Sequence, residues 1–139
     1  MMKRIFKPLP FLLGFITFQL LLSNRSFAEF RDLVSIEYCY DGDTCRTTSG
    51  ERIRLACIDA PEIRGHAADH ARAVAARDRL EMLVVGKSVA LRRITKDRFG
   101  RTVGELFVDG GNVQQMMVSS RHAVVHPRYA YQCPWAVCY

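Results

Sequence analysis

Three short segments of this 139-residue chain carry side chains that could act together on a phosphodiester. They are Asp41-Gly42-Asp43-Thr44, the stretch from Arg54 through Asp59-Ala60-Pro61-Glu62, and Asp97-Arg98-Phe99-Gly100-Arg101. Breaking such a bond requires that charge on the phosphoryl oxygens be neutralised, a water aimed or deprotonated, and the leaving oxygen stabilised. Asp43 and Asp59 are hard oxygen donors suited to Ca2+ or Mg2+, and Asp41 could join them directly or through water. Glu62 lies three residues past Asp59, beyond the Pro61 turn, where it can face the same cavity as a general base without being a ligand. Arg54 and Arg101 can each fork two N–H bonds onto phosphate oxygens, which lysine cannot do. Each segment alone has a plainer reading: a hairpin turn, a turn followed by a solvated glutamate, and a loop in which Asp97 pairs with Arg101 or Arg98. Their joint occurrence, in this order and spacing, points to metal-assisted phosphodiester hydrolysis.

These side chains need elements to position them. Alternation predicts a strand over residues 33–40, with Leu33, Ser35, Glu37 and Cys39 on one face and Val34, Ile36, Tyr38 and Tyr40 on the other. Asp41-Gly42-Asp43 reads as a turn whose glycine supplies a positive φ. Strands follow over 44–48 and 51–58, the latter with Arg54 at its far end from Asp59, and Pro61 stops the pairing. Residues 66–85 read as a helix with Ala73, Ala76, Leu80, Leu83 and Val84 on one face, stopped at Gly86. Strands over 88–94 and 101–108 flank the 97–101 reversal, and Asn112 can cap a short helix over 113–119. Met116 and Met117 would fill core beneath it, and Trp135 would cover the barrel end. Three strands, a helix, two strands and a short helix suit a β-barrel with helices, an α+β fold of the OB-type five-stranded Greek-key kind, whose groove commonly takes oligonucleotides.

The N-terminus has its own pattern. Lys3, Arg4 and Lys7 precede an apolar run over 9–22, and Ser26-Phe27-Ala28 offers the small residues a signal peptidase reads. Residues 1–28 are therefore expected to be a signal peptide. The apolar run is too short to span a bilayer. The expectation is a secreted or periplasmic protein of residues 29–139, one domain with one core, without stable membrane association and monomeric. Four of the 20 Lys+Arg fall in the leader and no acid does, so the rest carries a net +2 rather than +6. A general basic surface is then weak support for nucleic acid, and the case rests on particular arginines. All five cysteines follow the leader, so at most two disulfides form and one thiol is left over. Cys133 and Cys138 could bridge locally, or either could staple the tail to the barrel. No CxxC pair supports zinc, and the pairs His66/His70 and His122/His126 read as ordinary surface and strand histidines.

Over residues 33–125 the chain resembles the staphylococcal-nuclease-like (thermonuclease) family. The resemblance runs through the three segments above and through Val103-Gly104-Glu105-Leu106 and Gly111-Asn112-Val113. It implies an OB-type barrel and Ca2+-dependent cleavage of DNA and RNA, leaving 3′-phosphate ends, with single strands or breathing duplex favoured. It also implies Asp43, Asp59 and the Ala60 backbone carbonyl as metal ligands, with Asp41 tuning the site through water. Glu62 would activate water, and Arg54 and Arg101 would hold the scissile phosphate. Tyr129 is the nearest counterpart of the family's base-side tyrosines. The chain departs from the family pattern at Arg121-His122, where a Gly-containing turn is usual. It also departs at the tail, where the final family helix is expected to be absent because Pro134 interrupts it. The alternative is an OB-type module that binds nucleic acid without cleaving it. A secreted scaffold with no nucleic-acid affinity is a third reading.

Overall fold

The structure, a computed structural model, describes residues 32–64 and 69–139. The leader read from residues 1–28, the expected helix start at 66 and His66 lie outside the described residues. The elements are β1 (Asp32–Val34), β2 (Ile36–Cys39), β3 (Thr44–Thr47), β4 (Arg52–Leu55), β5 (Ile58–Asp59), α1 (His70–Val84), β6 (Val89–Lys96), β7 (Thr102–Val108), β8 (Gly111–Asn112), α2 (Val113–Ser119) and β9 (Val124–Val125). Two 3-10 helices, Pro127–Gln132 and Pro134–Cys138, complete the tail.

The main sheet runs β1-β6-β7-β4-β3-β2, with β8 on β7. All its pairings are antiparallel except β4 with β7. The two ends of that path, β1 and β2, are consecutive in the chain, so the break at Ser35 curls the sheet towards closure. This is the OB-type α+β architecture that the sequence suggests. It also corrects the reading of 33–40 as one alternating strand. One stretch must pair with β6 at its start and β3 at its end, and the register shifts between Ile36 and Tyr38. Ile36 and Cys39 are therefore both buried, which strict alternation forbids.

The strand expected over 51–58 also divides. β4 ends at Leu55, and the chain turns through Cys57 at φ +67°, a left-handed conformation rare for a residue with a Cβ. Two bonds hold this turn. Cys57 is disulfide-bonded to Cys133, and its carbonyl accepts from the His126 N–H at 2.8 Å. Ile58 and Asp59 then pair with Val125 and Val124 in a separate two-stranded ladder.

α1 begins where the Asp69 side chain accepts from the Arg72 N–H, and it buries Ala73, Ala76, Leu80 and Val84 as its spacing predicts. Asn112 caps α2 through the Gln115 N–H, and Met117 is buried beneath it. The fully buried Gln114 ties α2 to β7, accepting from Leu106 N and donating to the Gly104 carbonyl. Trp135 packs against both apolar clusters and donates its indole N–H to Glu105 at 2.6 Å. Pro134 does not leave the tail irregular. It opens the second 3-10 helix at a position where its missing N–H is not needed.

Gly42 corrects another expectation. Its φ is not positive, and its role is steric: a Cβ there would stand 2.6 Å from the Ala76 Cβ and 2.7 Å from the Ala60 Cβ. Glycine lets the Asp41-Asp43 loop lie against α1 and against the segment after β5. Gly42→Ala should destabilise the fold by about 1–3 kcal/mol through overpacking. Urea denaturation would register this, and an unchanged midpoint would show that α1 can retreat at no cost.

Candidate active site

The loop between β2 and β3 carries Asp41 and Asp43, and its neck is closed twice. Cys39 and Cys45 are directly paired across the strands and joined by a disulfide, and the Tyr40 N–H donates to the Thr44 carbonyl at 2.8 Å. Asp43 is 6% exposed. One of its oxygens accepts from the Thr44 hydroxyl at 3.0 Å, and the other accepts from the Ala60 N–H at 3.0 Å. The same second oxygen lies 3.2 Å from Arg54 Nη2, and the Asp43 carbonyl accepts from Leu55 N at 2.7 Å. Asp41 accepts from the Asp43 N–H, which places the two carboxylates side by side.

The turn at Cys57 explains how Arg54 and Asp59 meet. An unbroken strand would have carried them apart. Instead the chain doubles back, and Arg54 Nη2 sits 3.6 Å from an Asp59 oxygen while holding Asp43. Arg54 Nη1 donates to the Leu55 carbonyl at 2.7 Å, so the guanidinium is tethered between two acids from separate segments. Arg101 comes from the 97–101 reversal. Its Nε donates to Asp97 at 2.7 Å, and its Nη1 reaches the Thr44 hydroxyl at 3.5 Å, one step from Asp43. The pairing of Asp97 with Arg101 is thus present, and it aims the arginine at Thr44. Burial would raise the Asp97 carboxyl, but hydrogen bonds from Arg101 and from the Phe99 N–H outweigh it and hold the group below its ordinary value.

Asp43 behaves in the opposite way. Burial pushes its carboxyl up to about 7, Asp41 adds to the rise, and Arg54 and the Ala60 N–H only partly oppose it. A buried carboxylate beside a second acid, with one guanidinium shared with a third, is short of positive charge. The donors are all hard oxygens, and two carboxylates already converge on one cationic group. Asp43, Asp59 and Asp41 therefore fit a hard divalent cation in chemistry. Among the described residues, no three His, Cys, Asp or Glu side chains form a ready-made metal cluster.

The structure thus gathers Asp41, Asp43, Arg54, Asp59, Ala60 and Arg101. Glu62 stands apart: it is exposed, just ahead of residues 65–68, and none of its side-chain contacts joins it to this group. Tyr129 is exposed on the tail, its ring tilted against His126 at 4.8 Å. Sequence reasoning passed over Phe99, an exposed ring with the guanidinium groups of Arg98 and Arg101 at 4.7 and 5.6 Å from its centre. An aromatic residue between two arginines in a tight reversal was the available signal. It also missed a pocket of about 230 Å3 beside Asp59, to which Arg72, Arg121 and His122 contribute.

Residues 52–134 match the sequence model of the family described as staphylococcal nuclease homologue. Over 93 residues the chain is 39% identical to an uncharacterized endonuclease of Escherichia coli O157:H7, covering 64% of this chain and 58% of that protein. Over 87 residues it is 33% identical to a staphylococcal-like nuclease of Arabidopsis thaliana, covering 60% of this chain and 25% of that protein. The chain therefore spans little more than half of the bacterial relative and a quarter of the plant one. The matched family segment contains Arg54, Asp59, Glu62 and Arg101, while Asp41 and Asp43 precede it.

The raised Asp43 carboxyl has a consequence for stability. The native state holds this proton up to about pH 7, whereas an ordinary aspartic acid releases it near 3.8. Between those values the native state binds more protons than the unfolded one, so stability falls as pH rises through the window. Thermal melts without divalent cations should show a falling Tm from about pH 4 to 7, and Asp43→Asn should flatten that slope whatever its absolute Tm. A slope that is the same in Asp43→Asn as in the wild type would refute the assignment.

Proposed function

The chain belongs to the staphylococcal nuclease homologue family, and from that membership we propose that it is an exported, Ca2+-dependent nuclease that hydrolyses DNA and RNA with little sequence preference. The observation carrying this reading is Arg54, whose guanidinium lies 3.2 Å from Asp43 and 3.6 Å from Asp59 and joins one side of the site to the other. Arg101 completes the pair through Thr44. Held by Asp43, Asp59 and the Ala60 carbonyl, with Asp41 acting through water, a Ca2+ ion would supply positive charge opposite the non-bridging phosphate oxygens.

Arg54 and Arg101 bind the scissile phosphate and take up the charge that grows on its oxygens. While Arg54 bridges the two carboxylates, its Nη2 group is committed to them. A cation held by Asp43 and Asp59 would free that group for phosphate, so metal and substrate would support each other's binding. Glu62 takes a proton from water. The water oxygen forms a bond to phosphorus, the P–O5′ bond breaks in line, and the departing 5′ oxygen takes a proton from solvent while Glu62 later returns its own, giving a 3′-phosphate and a 5′-hydroxyl. The exposed position of Glu62 on a loop is compatible with closure over substrate, since catalytic hydrogen bonds often tighten only in the complex. Contacts to phosphate and sugar position a strand without reading its sequence, and an open groove takes single strands best. Export is supported by the leader-like sequence of residues 1–28 and by two disulfides, which persist in oxidising compartments.

Purified protein should cleave single-stranded DNA with Ca2+ and not with EGTA, and the products should resist 3′ extension until treated with phosphatase. Glu62→Gln should cost about 10²–10⁴-fold in turnover and Arg101→Ala about 10²–10³-fold, with thermal melts showing both variants folded. Tight, salt-sensitive binding without cleavage would instead favour the non-catalytic module. Near-wild-type rates in the folded variants would remove these residues from the mechanism.

A further inference from the structure

The pocket that begins at Asp59 and Ala60 extends beyond the residues used by the chemistry above. β5 and β9 pair Asp59 with Val124, so the segment 121–123 runs back alongside Ala60 and Pro61, and α1 adds Arg72 to the opposite wall. A smaller pocket of about 150 Å3 continues past Arg72, Arg121 and His122 to Ala75. The polar part of this groove is cationic. Among the described residues the Arg121 side chain has no ion pair or hydrogen bond. Among the described residues Arg72 makes only a long contact of 3.8 Å with the exposed Asp69, and Asp59, the one acid among them that lines the pocket, is already beside Arg54. His122 engages the Ser120 hydroxyl through Nδ1 at 2.9 Å, which leaves Nε2 without a partner among the described residues. Pro61, Ala123 and Val124 supply apolar wall.

The backbone at Arg121 decides which substitution tests the groove. Arg121 adopts φ +60°, in the left-handed region where a residue with a Cβ is disfavoured. This is the left-handed cap that ends α2, with the Arg121 N–H on the Val118 carbonyl and the His122 N–H on the Met117 carbonyl, so capping accounts for the φ, and the arginine stands at a position that glycine would fill without strain.

We propose that the groove lined by Arg72, Arg121 and His122 is a second phosphate subsite, seating a neighbouring sugar-phosphate unit of the strand being cleaved. The identity of the ligand rests on the nuclease reading, while the cationic groove does not. Arg121 and Arg72 fork onto the phosphodiester oxygens, and the apolar wall takes the sugar face. The subsite reads no base. It makes a polynucleotide a better substrate than a dinucleotide and fixes the strand's course away from Asp59.

The test compares Arg121→Gly and Arg121→Lys with the wild-type full chain on a dinucleotide and on an eight-residue oligodeoxynucleotide. Binding of the octamer is measured alongside as salt is varied. Arg121→Gly relieves the left-handed strain, so its Tm should equal or exceed that of the wild type, and a loss through unfolding is excluded. Its advantage for the octamer over the dinucleotide, read in KM, should shrink roughly five- to tenfold, with Arg121→Lys intermediate. The salt slope of octamer binding should fall by about 0.7, the value of one lost phosphate contact on a single strand. If the wild type cleaves nothing but the slope still falls, the nuclease reading fails and the subsite stands. Unchanged selectivity together with an unchanged slope would overturn the subsite. Equal losses on both substrates would also overturn it, because Arg121 would then serve the scissile phosphate.

Discussion

The Asp43 carboxylate is the point at which the parts of this small fold are tied together. It is buried, its two oxygens reach Thr44, Ala60 and Arg54, and the backbone around it is bonded to Leu55 and Asp41. The β2–β3 loop, β4 and the segment after β5 therefore share one charged group. A buried charge is costly unless paired and hydrogen-bonded, and here the pairing is incomplete, as the upward displacement of its titration shows. Natural cores seldom keep such a deficit for stability alone. Under the function proposed above, that deficit is the electrostatic condition for attracting a cation from outside.

Holding that geometry requires the backbone to do two things it resists. The chain must reverse at Cys57 with a left-handed φ, and α1 must approach the acidic loop closely enough that only glycine fits at position 42. The Cys57–Cys133 disulfide answers the first requirement. It closes a loop of 76 residues, for which chain entropy gives roughly 4 kcal/mol, against about 2 kcal/mol for the short Cys39–Cys45 loop. The two bridges therefore divide the work. The long one restrains the unfolded chain and fixes the tail against the reversal, and the short one clamps the neck of the loop that presents Asp41 and Asp43. Cys138 is left exposed and free, the odd thiol that five cysteines require.

How much of this could be read beforehand follows from whether the cause was local. The cap at Asn112, the buried face of α1 and the reversal at 97–101 are set by a few neighbouring residues, and they stand where their patterns put them. The break at Ser35 and the end of β4 at Leu55 have distant causes. The first comes from pairing with both β6 and β3, and the second from a disulfide partner far along the chain. The same division applies to the site. The residue types at 43, 54, 59 and 101 announced themselves, but one guanidinium between two carboxylates depends on the reversal at Cys57, and the groove at Arg121 depends on the β5–β9 pairing. Neither leaves a periodic trace in the sequence.

Arg54 also explains why the site is built from charges that oppose one another. A guanidinium fixed between two carboxylates is poorly placed to greet an anion, since its field is largely cancelled. The same carboxylates, once satisfied from elsewhere, release that field towards whatever lies in front. In the mechanism proposed above, one side chain would therefore couple the two binding events. Arg101 does not share this constraint, because Asp97 holds its Nε and leaves the far end of the fork directed at Thr44. The two arginines thus differ in kind: one is oriented by a single acid in its own loop, and the other is held between two acids from separate segments. A lysine could not replace Arg54, because a single ammonium cannot hold the Leu55 carbonyl and two acids with separate nitrogens in one plane.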